Sequence, residues 1–292
     1  MNIALYCRSI RPEDIPVLQR ILDLLSERNM GVFIFKNFFE SVWEKIKTRS
    51  GVATFSNYND IRDKVDYMFS LGGDGTLLDT ISFVRNASIP IMGINIGRLG
   101  FLADISKDEI ESAIDAINGR TYVSDKRILL GLETNKPLFG EVPYALNDIT
   151  IHKKDSSAMM TIHTYINGEL LNSYWADGLI IATPTGSTGY SLSCGGPIIM
   201  PTSGNFVITP IAPHNLNVRP MVVSDSSIIS FEVEGRQDKF LLTMDSRTET
   251  IDTSFQLAVK KCDFEITLVR LNDHHFLDTL RRKLMWGVDL RK

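Results

Sequence analysis

Five consecutive residues, Gly72, Gly73, Asp74, Gly75 and Thr76, carry the sharpest chemical signal in the chain. They follow an apolar run at 67–71 and precede Leu77, Leu78, Ile81 and Val84 at helical spacing. Glycines let a backbone turn tightly and approach a ligand with no Cβ in the way. Amides that open a helix receive phosphate. Asp74 is the odd member, because a carboxylate repels phosphate unless it has a task. Three readings are open for it: it accepts the proton of a hydroxyl, it helps to hold Mg2+, or it merely caps the helix.

A second segment begins at Asp177, runs through an apolar strand at 178–182, and enters a loop dense in glycine and hydroxyls. Thr185, Thr188, Gly189, Tyr190, Ser191, Leu192 and Ser193 lie in that loop, which ends near Gly195-Gly196-Pro197. Hydroxyls and amides at this density suit ribose and phosphate oxygens, although a polar connection between strands reads similarly. Asn147 and Asp148 interrupt a strand-like run. Such a pair grips two ribose hydroxyls, or it marks a turn or bulge.

Several chemistries are excluded by what is missing. No G-x-x-x-x-G-K-[ST] occurs, and Gly93, Gly97 and Gly100 have the wrong spacing for a dinucleotide fingerprint. Gly186-Ser187-Thr188-Gly189 is not a nucleophile elbow. The five histidines form no metal-binding set, so no residue is assigned to a resident metal, and His274-His275 reads as structural or surface. Cys7, Cys194 and Cys262 are scattered, which fits a reducing compartment.

These groups need a scaffold, and the pattern supplies two. Up to about residue 120, strands at 2–7, 32–35, 67–71 and 89–94 alternate with helical patterns at 12–25, 38–46, 77–84 and 106–117. Alternation of this kind predicts a parallel sheet covered by helices, with ligands beyond the carboxyl ends of the strands. From 121 to 269 short strands dominate, with Asn167-Gly168 as a tight hairpin turn. The expected fold is an α/β domain at 1–120 carrying the glycine turn, then a β-rich, sandwich-like domain at 121–269. A helix at 273–286 is expected to return residues 270–292 to the first domain. The chain has 292 residues, 43% of them hydrophobic and 23% charged, enough for a sizeable core. Its 31 basic and 35 acidic residues leave a net charge of −4, which argues against general nucleic-acid or membrane-surface binding. No apolar run approaches a membrane span, and residues 1–7 read as a first strand rather than a leader.

Together these segments resemble the NAD kinase family, over nearly the whole chain. The turn at 72–76 resembles the family's GGDGT motif, and residues 93–102 (GINIGRLGFL) are similar to its next motif. Asn147-Asp148 resembles an Asn-Glu pair, with an aspartate one methylene shorter. Residues 177–197 resemble the glycine- and hydroxyl-rich signature, and residues 280–287 (LRRKLMWG) also fit. Asp245-Ser246-Arg247 stands where the family often has a neutral amide third. Lipid kinases and phosphofructokinases carry turns related to 72–76 but leave 177–197 unexplained, and a silent dinucleotide sensor has no use for Asp74.

The resemblance implies transfer of the γ-phosphate of ATP, with Mg2+, to the 2′-hydroxyl of the adenosine ribose of NAD. It implies Asp74 as general base, with Gly72, Gly73, Gly75 and Thr76 shaping the phosphate turn and Phe101 near the adenine. Asn147 and Asp148 would bind the nicotinamide-side ribose and Asp177 the nicotinamide end. Thr188, Tyr190 and Ser193 would line the adenosine site, with Thr185, Gly189, Ser191 and Leu192 among the substrate- or nucleotide-binding residues. Asp245 joins the candidates, and Arg247 would meet a dinucleotide phosphate or only a surface carboxylate. A cytoplasmic homodimer or homotetramer with no nucleic-acid or membrane partner is expected on the same ground.

Overall fold

The structure is a computed structural model that describes residues 1–47, 51–97, 100–154, 160–235 and 239–286. Arg98 and Leu99 of the second motif and Gly287 of the last one therefore lie outside the described residues. Two units divide the chain, Met1–Lys126 with Ile266–Lys292, and Arg127–Glu265.

In the first unit β1 (Asn2–Tyr6) enters α1 (Ile15–Glu27), preceded by a short 3-10 turn at Pro12–Asp14 where a proline is tolerated. β2 (Gly31–Phe35) leads to α2 (Lys36–Val42), β3 (Ala53–Phe55) and the one-turn α3 (Tyr58–Ile61). β4 (Tyr67–Leu71) feeds α4 (Asp74–Val84), and β5 (Ile91–Ile94) is followed by α5 (Ile110–Gly119). The strands pair in parallel in the order β5, β4, β1, β2, β3. Leu18, Ile21, Leu22 and Leu25 of α1 and Ile110, Ala113, Ile114 and Ile117 of α5 bury their apolar stripes in one core with Leu5, Ile34, Phe69 and Met92. The helix expected over 38–46 stops at Val42, and a 3-10 turn takes Trp43–Lys45. β3 and α3 are too short to show a period.

The segment after β5 doubles back along it. Ile94 and Ile105 form a parallel bridge, Asn95 donates to the Ile105 carbonyl at 2.7 Å, and Ile105 donates to the Gly93 carbonyl at 3.1 Å. Gly93 is required at this crossing. A Cβ there would stand 2.7 Å from the Ala103 Cα and 2.9 Å from the Leu102 carbonyl oxygen.

The second unit is antiparallel. It contains β6 (Val123–Thr134), of which residues 123–126 belong to the first unit, then β7 (Tyr144–Ala145), β8 (Asp148–Lys153), β9 (Met160–Ile166) and β10 (Glu169–Ala176). β11 (Gly178–Ala182), a one-turn α6 (Tyr190–Ser193), β12 (Asn205–Ile211), β13 (Met221–Ser224) and β14 (Ile229–Gly235) follow. β15 (Phe240–Met244), β16 (Arg247–Ile251) and β17 (Leu257–Arg270) complete it, the last running on into the first unit from Ile266. One sheet has the order β13, β12, β11, β8, β15, β16. Strands β10, β9, β14 and β17 pair in the other, with β6 also on β17. The two share a core that includes Ile151, Ile162, Leu179, Phe206, Phe231 and Leu242, so the expected sandwich is what forms. β11 is buried on both faces: Leu179 and Ile181 face that core, while Ile180 and Ala182 pack with Ile199 and Val207 on the far side. Asn167 and Gly168 both take positive φ in the β9–β10 hairpin, as the Asn-Gly pair predicts. The strand expected over 144–152 is broken at Leu146 and Asn147, and 183–193 is not a plain loop but holds a 3-10 turn and α6.

The last helix among the described residues is α7 (Phe276–Leu284), shorter than the helix expected over 273–286, and it belongs to the first unit. His274, 7% exposed, ties it down: Nδ1 faces Asp104 Oδ2 at 3.1 Å and Nε2 faces Glu109 Oε1 at 2.9 Å. Arg270 donates to the His274 carbonyl. The Asp104 hydrogen bond, with that of Glu109, raises the imidazole to about 9 against its desolvation. Among the described residues no helix is long and apolar enough to cross a membrane.

Two outcomes follow from this packing. Gly93→Ala forces backbone apart, and it lowers stability by about 1–3 kcal/mol, read as a lower urea midpoint. The His274 ion pairs stabilise fully below the imidazole's unfolded value near 6.5 and are lost as pH rises through about 9. Thermal midpoints of the unaltered protein therefore fall more steeply on the alkaline side of neutrality than those of His274→Gln; parallel curves would remove the ion pairs as the cause.

Candidate active site

β4 ends at Leu71, and the chain reverses through Gly72 into α4. Gly72 has φ of +156°, and a Cβ would fall 2.3 Å from the Thr76 hydroxyl oxygen, so any other residue is strained and crowded. Gly73 is the N-cap of α4, with exposed backbone and no side chain beside it. Asp74, the first helical residue, does not cap its own helix. Its Oδ2 accepts from the Phe101 amide at 2.8 Å, and its Oδ1 accepts from the amides of Leu102 and Ala103, both at 3.0 Å. A carboxylate has about four lone-pair positions, so one stays open, on Oδ2. Gly100 makes this approach possible: its Cβ would lie 1.9 Å from Asp74 Oδ1. The Asn95 side chain donates to the Ala103 carbonyl at 3.2 Å and fixes the same loop from the other side. Lys283 of α7 stands 5.8 Å from the centroid of the half-buried Phe101 ring.

In the second unit the organising group is Asp245, in the two-residue turn between β15 and β16 with φ of +52°. Its carboxylate accepts from three successive amides, those of Leu146 at 2.9 Å, Asn147 at 2.7 Å and Asp148 at 3.3 Å. Those bonds hold the break in the strand just before β8. Asn147 Oδ1 is buried without a partner among the described residues, a position that a ligand donor would satisfy. Gly186 packs on the Asn147 backbone, where a Cβ would meet the carbonyl oxygen at 2.0 Å. Asp148 is 8% exposed and accepts from the Thr150 hydroxyl at 3.0 Å. Burial first, then the neighbouring Asp245, pushes its carboxyl up to about 7. Burial also raises Asp245, against its three amide donors.

A cavity of about 390 Å³ is lined by Asp148, Thr150, His152, Tyr190, Thr243 and Asp245, among others. Tyr190 is 43% exposed, and desolvation, then Cys194, Asp148 and Asp177, raises its phenol. Asp177 is paired with Lys153 at 2.5 Å. Thr188, Gly189 and Leu192 are half-buried, and Ser193 is exposed.

Other candidates prove internal. Thr185 is buried and accepts from Arg127 at 3.1 Å. Ser191 is fully buried against the Thr209 hydroxyl at 2.8 Å. Arg247 donates to the carbonyls of Val142 at 2.6 Å and Tyr144 at 2.5 Å, its guanidinium lies 5.7 Å from the Phe139 ring centroid, and its charge acts to lower Asp245. Sequence reasoning missed Thr150 and His152, although the strand period of two from Asp148 puts them on its face. It also missed Arg8, whose Nη2 donates to the Gly75 carbonyl at 3.1 Å; no local pattern marks that residue.

Comparison with known proteins fits this arrangement. The profile of the ATP-NAD kinase N-terminal domain matches residues 3–122, and that of the C-terminal domain matches 146–271. An NAD kinase of Cytophaga hutchinsonii is 48% identical over 292 residues, and one of Flavobacterium johnsoniae is 43% identical over 293, each covering both chains completely. Among solved structures, a yeast NADH kinase complexed with NADH has a TM-score of 0.89 at 24% identity, covering 100% of this chain and 89% of its own. An Archaeoglobus fulgidus NAD kinase in complex with ATP has a TM-score of 0.76 at 22% identity, covering 98% and 99%. At such identities the structural likenesses speak for the fold, while the two domain profiles and the full-length relatives speak for descent: the chain belongs to the ATP-NAD kinase family.

Proposed function

We propose that this protein is an NAD kinase, which moves the γ-phosphate of ATP to the 2′-hydroxyl of the adenosine ribose of NAD. Family membership supports NAD phosphorylation with ATP. The observation that carries the chemistry is Asp74, held by three amides with one lone pair open on Oδ2. The ribose oxygen attacks the γ-phosphorus, its proton passes to Asp74 Oδ2, and the bond to the ADP oxygen breaks. Exposed amides at Gly73 and Gly75, and the opening turn of α4, favour the phosphate oxygens. Positioning supplies much of the rate in such transfers.

Among the described residues no three His, Cys, Asp or Glu side chains converge on a metal-sized position. Mg2+ would arrive with the substrate as Mg·ATP. Bound there, the ion neutralises phosphate charge.

For NAD, Asn147 Oδ1 and Asp148 are the groups proposed for the nicotinamide-side ribose, with Asp177 toward the nicotinamide. Thr188, Tyr190 and Ser193 are proposed for the adenosine, with Phe101 at the adenine. Asp245 acts through Asn147 and Asp148 by fixing their backbone. A homodimer or homotetramer in the cytoplasm belongs to the same proposal.

Replacing the proposed base tests the reading directly. Asp74→Asn keeps the NAD affinity within about two-fold and lowers kcat by about 10²–10⁴, followed as NADP formed from NAD and Mg·ATP. Near-normal turnover would remove Asp74 as the base. A second outcome concerns pH. An ionised Asp148 accepts bonds from ribose hydroxyls, and a protonated one accepts them poorly. The kcat/KM for NAD therefore rises as pH passes upward through about 7, and Asp148→Asn flattens this rise. The same rise in Asp148→Asn would assign it to another group.

A further inference from the structure

Arg8 stands just beyond β1, beside the turn at 72–76, and nothing in the reaction described so far uses it. Its guanidinium is held in a fixed pose. Nε and Nη2 both donate to the carboxylate of Asp79 on α4, the second at 2.5 Å, and Nη2 also donates to the Gly75 carbonyl at 3.1 Å. Asp79 is anchored in turn by the Tyr6 hydroxyl at 2.9 Å. Beneath it the Tyr6 ring packs on Phe35 and Phe83, with centroids 5.0 and 5.1 Å away. A guanidinium has five N–H donors. Three are occupied by these bonds, and the two that remain are both on Nη1. That nitrogen lies 3.8 Å from the place a Gly75 Cβ would take. The side chain is 50% exposed.

We propose that Arg8 binds the triphosphate of ATP, its Nη1 donating to phosphate oxygens above the exposed face of Gly75. The inference rests on the reading that ATP is the phosphate donor at this turn. Asp74 and Asp79 place two carboxylates on the first turns of α4, and a helix N-terminus supplies only about half a charge against them. A triphosphate needs a formal cation. A guanidinium already locked on a carboxylate loses little freedom when phosphate arrives, and it reaches oxygens with a planar fork. A lysine has no such fork. It cannot grip both oxygens of Asp79, reach the Gly75 carbonyl and still present two donors to phosphate.

Isothermal titration of Mg·ATP into the full-length protein tests this, beside KM values for ATP and NAD. The comparison uses Arg8→Gln, Arg8→Lys and, as a control for charge alone, Arg62→Gln, whose arginine pairs with Asp63 at 3.2 Å on the surface. Arg8→Gln should weaken Mg·ATP binding about ten-fold or more, the loss of one charge-assisted contact. Arg8→Lys should weaken it less, and Arg62→Gln should leave it within about two-fold; the KM for NAD should stay within about two-fold throughout. Unchanged Mg·ATP affinity in Arg8→Gln, or equal losses for ATP and NAD, overturns the proposal. If Arg8→Gln does not fold by circular dichroism, Arg8→Lys decides on the same criterion. Should the unaltered protein bind Mg·ATP in this Arg8-dependent way yet form no NADP, the kinase reading fails and the assignment of Arg8 stands.

Discussion

Three successive amides, at 101–103, converge on one carboxylate, and much of the first unit is arranged so that they can. The loop that carries them folds back over β5, which demands glycine at 93. It approaches Asp74 within contact distance, which demands glycine at 100. Asp74 itself is brought there by a turn whose Gly72 has no room for a side chain. The far end of the loop is pinned where His274 meets Asp104 and Glu109. Remote parts of the chain, β5, the turn after β4 and the segment before α7, thus determine where one oxygen points. Held rigidly, Oδ2 keeps a single open lone pair. A base with one open direction accepts a proton from one direction only, and that directional restriction is what positioned phosphoryl transfer requires.

The second unit uses the same device with the parts exchanged. Asp245 also accepts from three successive amides, at 146–148. In the first unit the loop is the scaffold and the carboxylate is the reactive group. Here the carboxylate is the scaffold and the loop bears the groups that can meet a ligand, Asn147 and Asp148. Its three N–H bonds make Asp245 the anchor of its neighbours, and it lines the same cavity as Asp148.

Much of this was legible in the residues. Alternating strands and helices before about 120 and short strands after it led to the α/β unit and the sandwich. Asn167-Gly168 fixed a hairpin, and 72–76 marked the strand-to-helix turn. Failures have local causes. Lys260, Lys261 and Asp263 dilute the apolar pattern of β17, so its full fourteen residues do not show as one strand in the sequence. α3 spans one turn, less than any period can reveal. Of the structural and surface readings His274 takes the structural one, and its two acidic partners lie 170 and 165 residues away, where no local pattern shows them. Arg247, expected at a dinucleotide phosphate or a surface carboxylate, donates to the carbonyls at 142 and 144, bonds that depend on long-range folding.

The hydroxyl-rich segment shows why density of polar groups overstates a binding site. A buried hydroxyl must find a partner, and a tight turn supplies carbonyls close by. Thr183 donates to the Leu146 carbonyl at 2.6 Å, and Ser187 donates to the Pro184 carbonyl at 2.7 Å. Ser191 pairs with Thr209. These side chains hold residues 183–193 against β11 and β12, where Gly186 packs on the Asn147 backbone. Thr188, Tyr190 and Ser193 keep some exposure. The division follows helical geometry: in a turn of 3-10 or α type only one side can face out, so consecutive hydroxyls cannot all serve one ligand. Half of the segment must build the turn before the other half can present anything, and the same folding that removes Thr185 and Ser191 from solvent is what brings Tyr190 to the cavity beside Asp148.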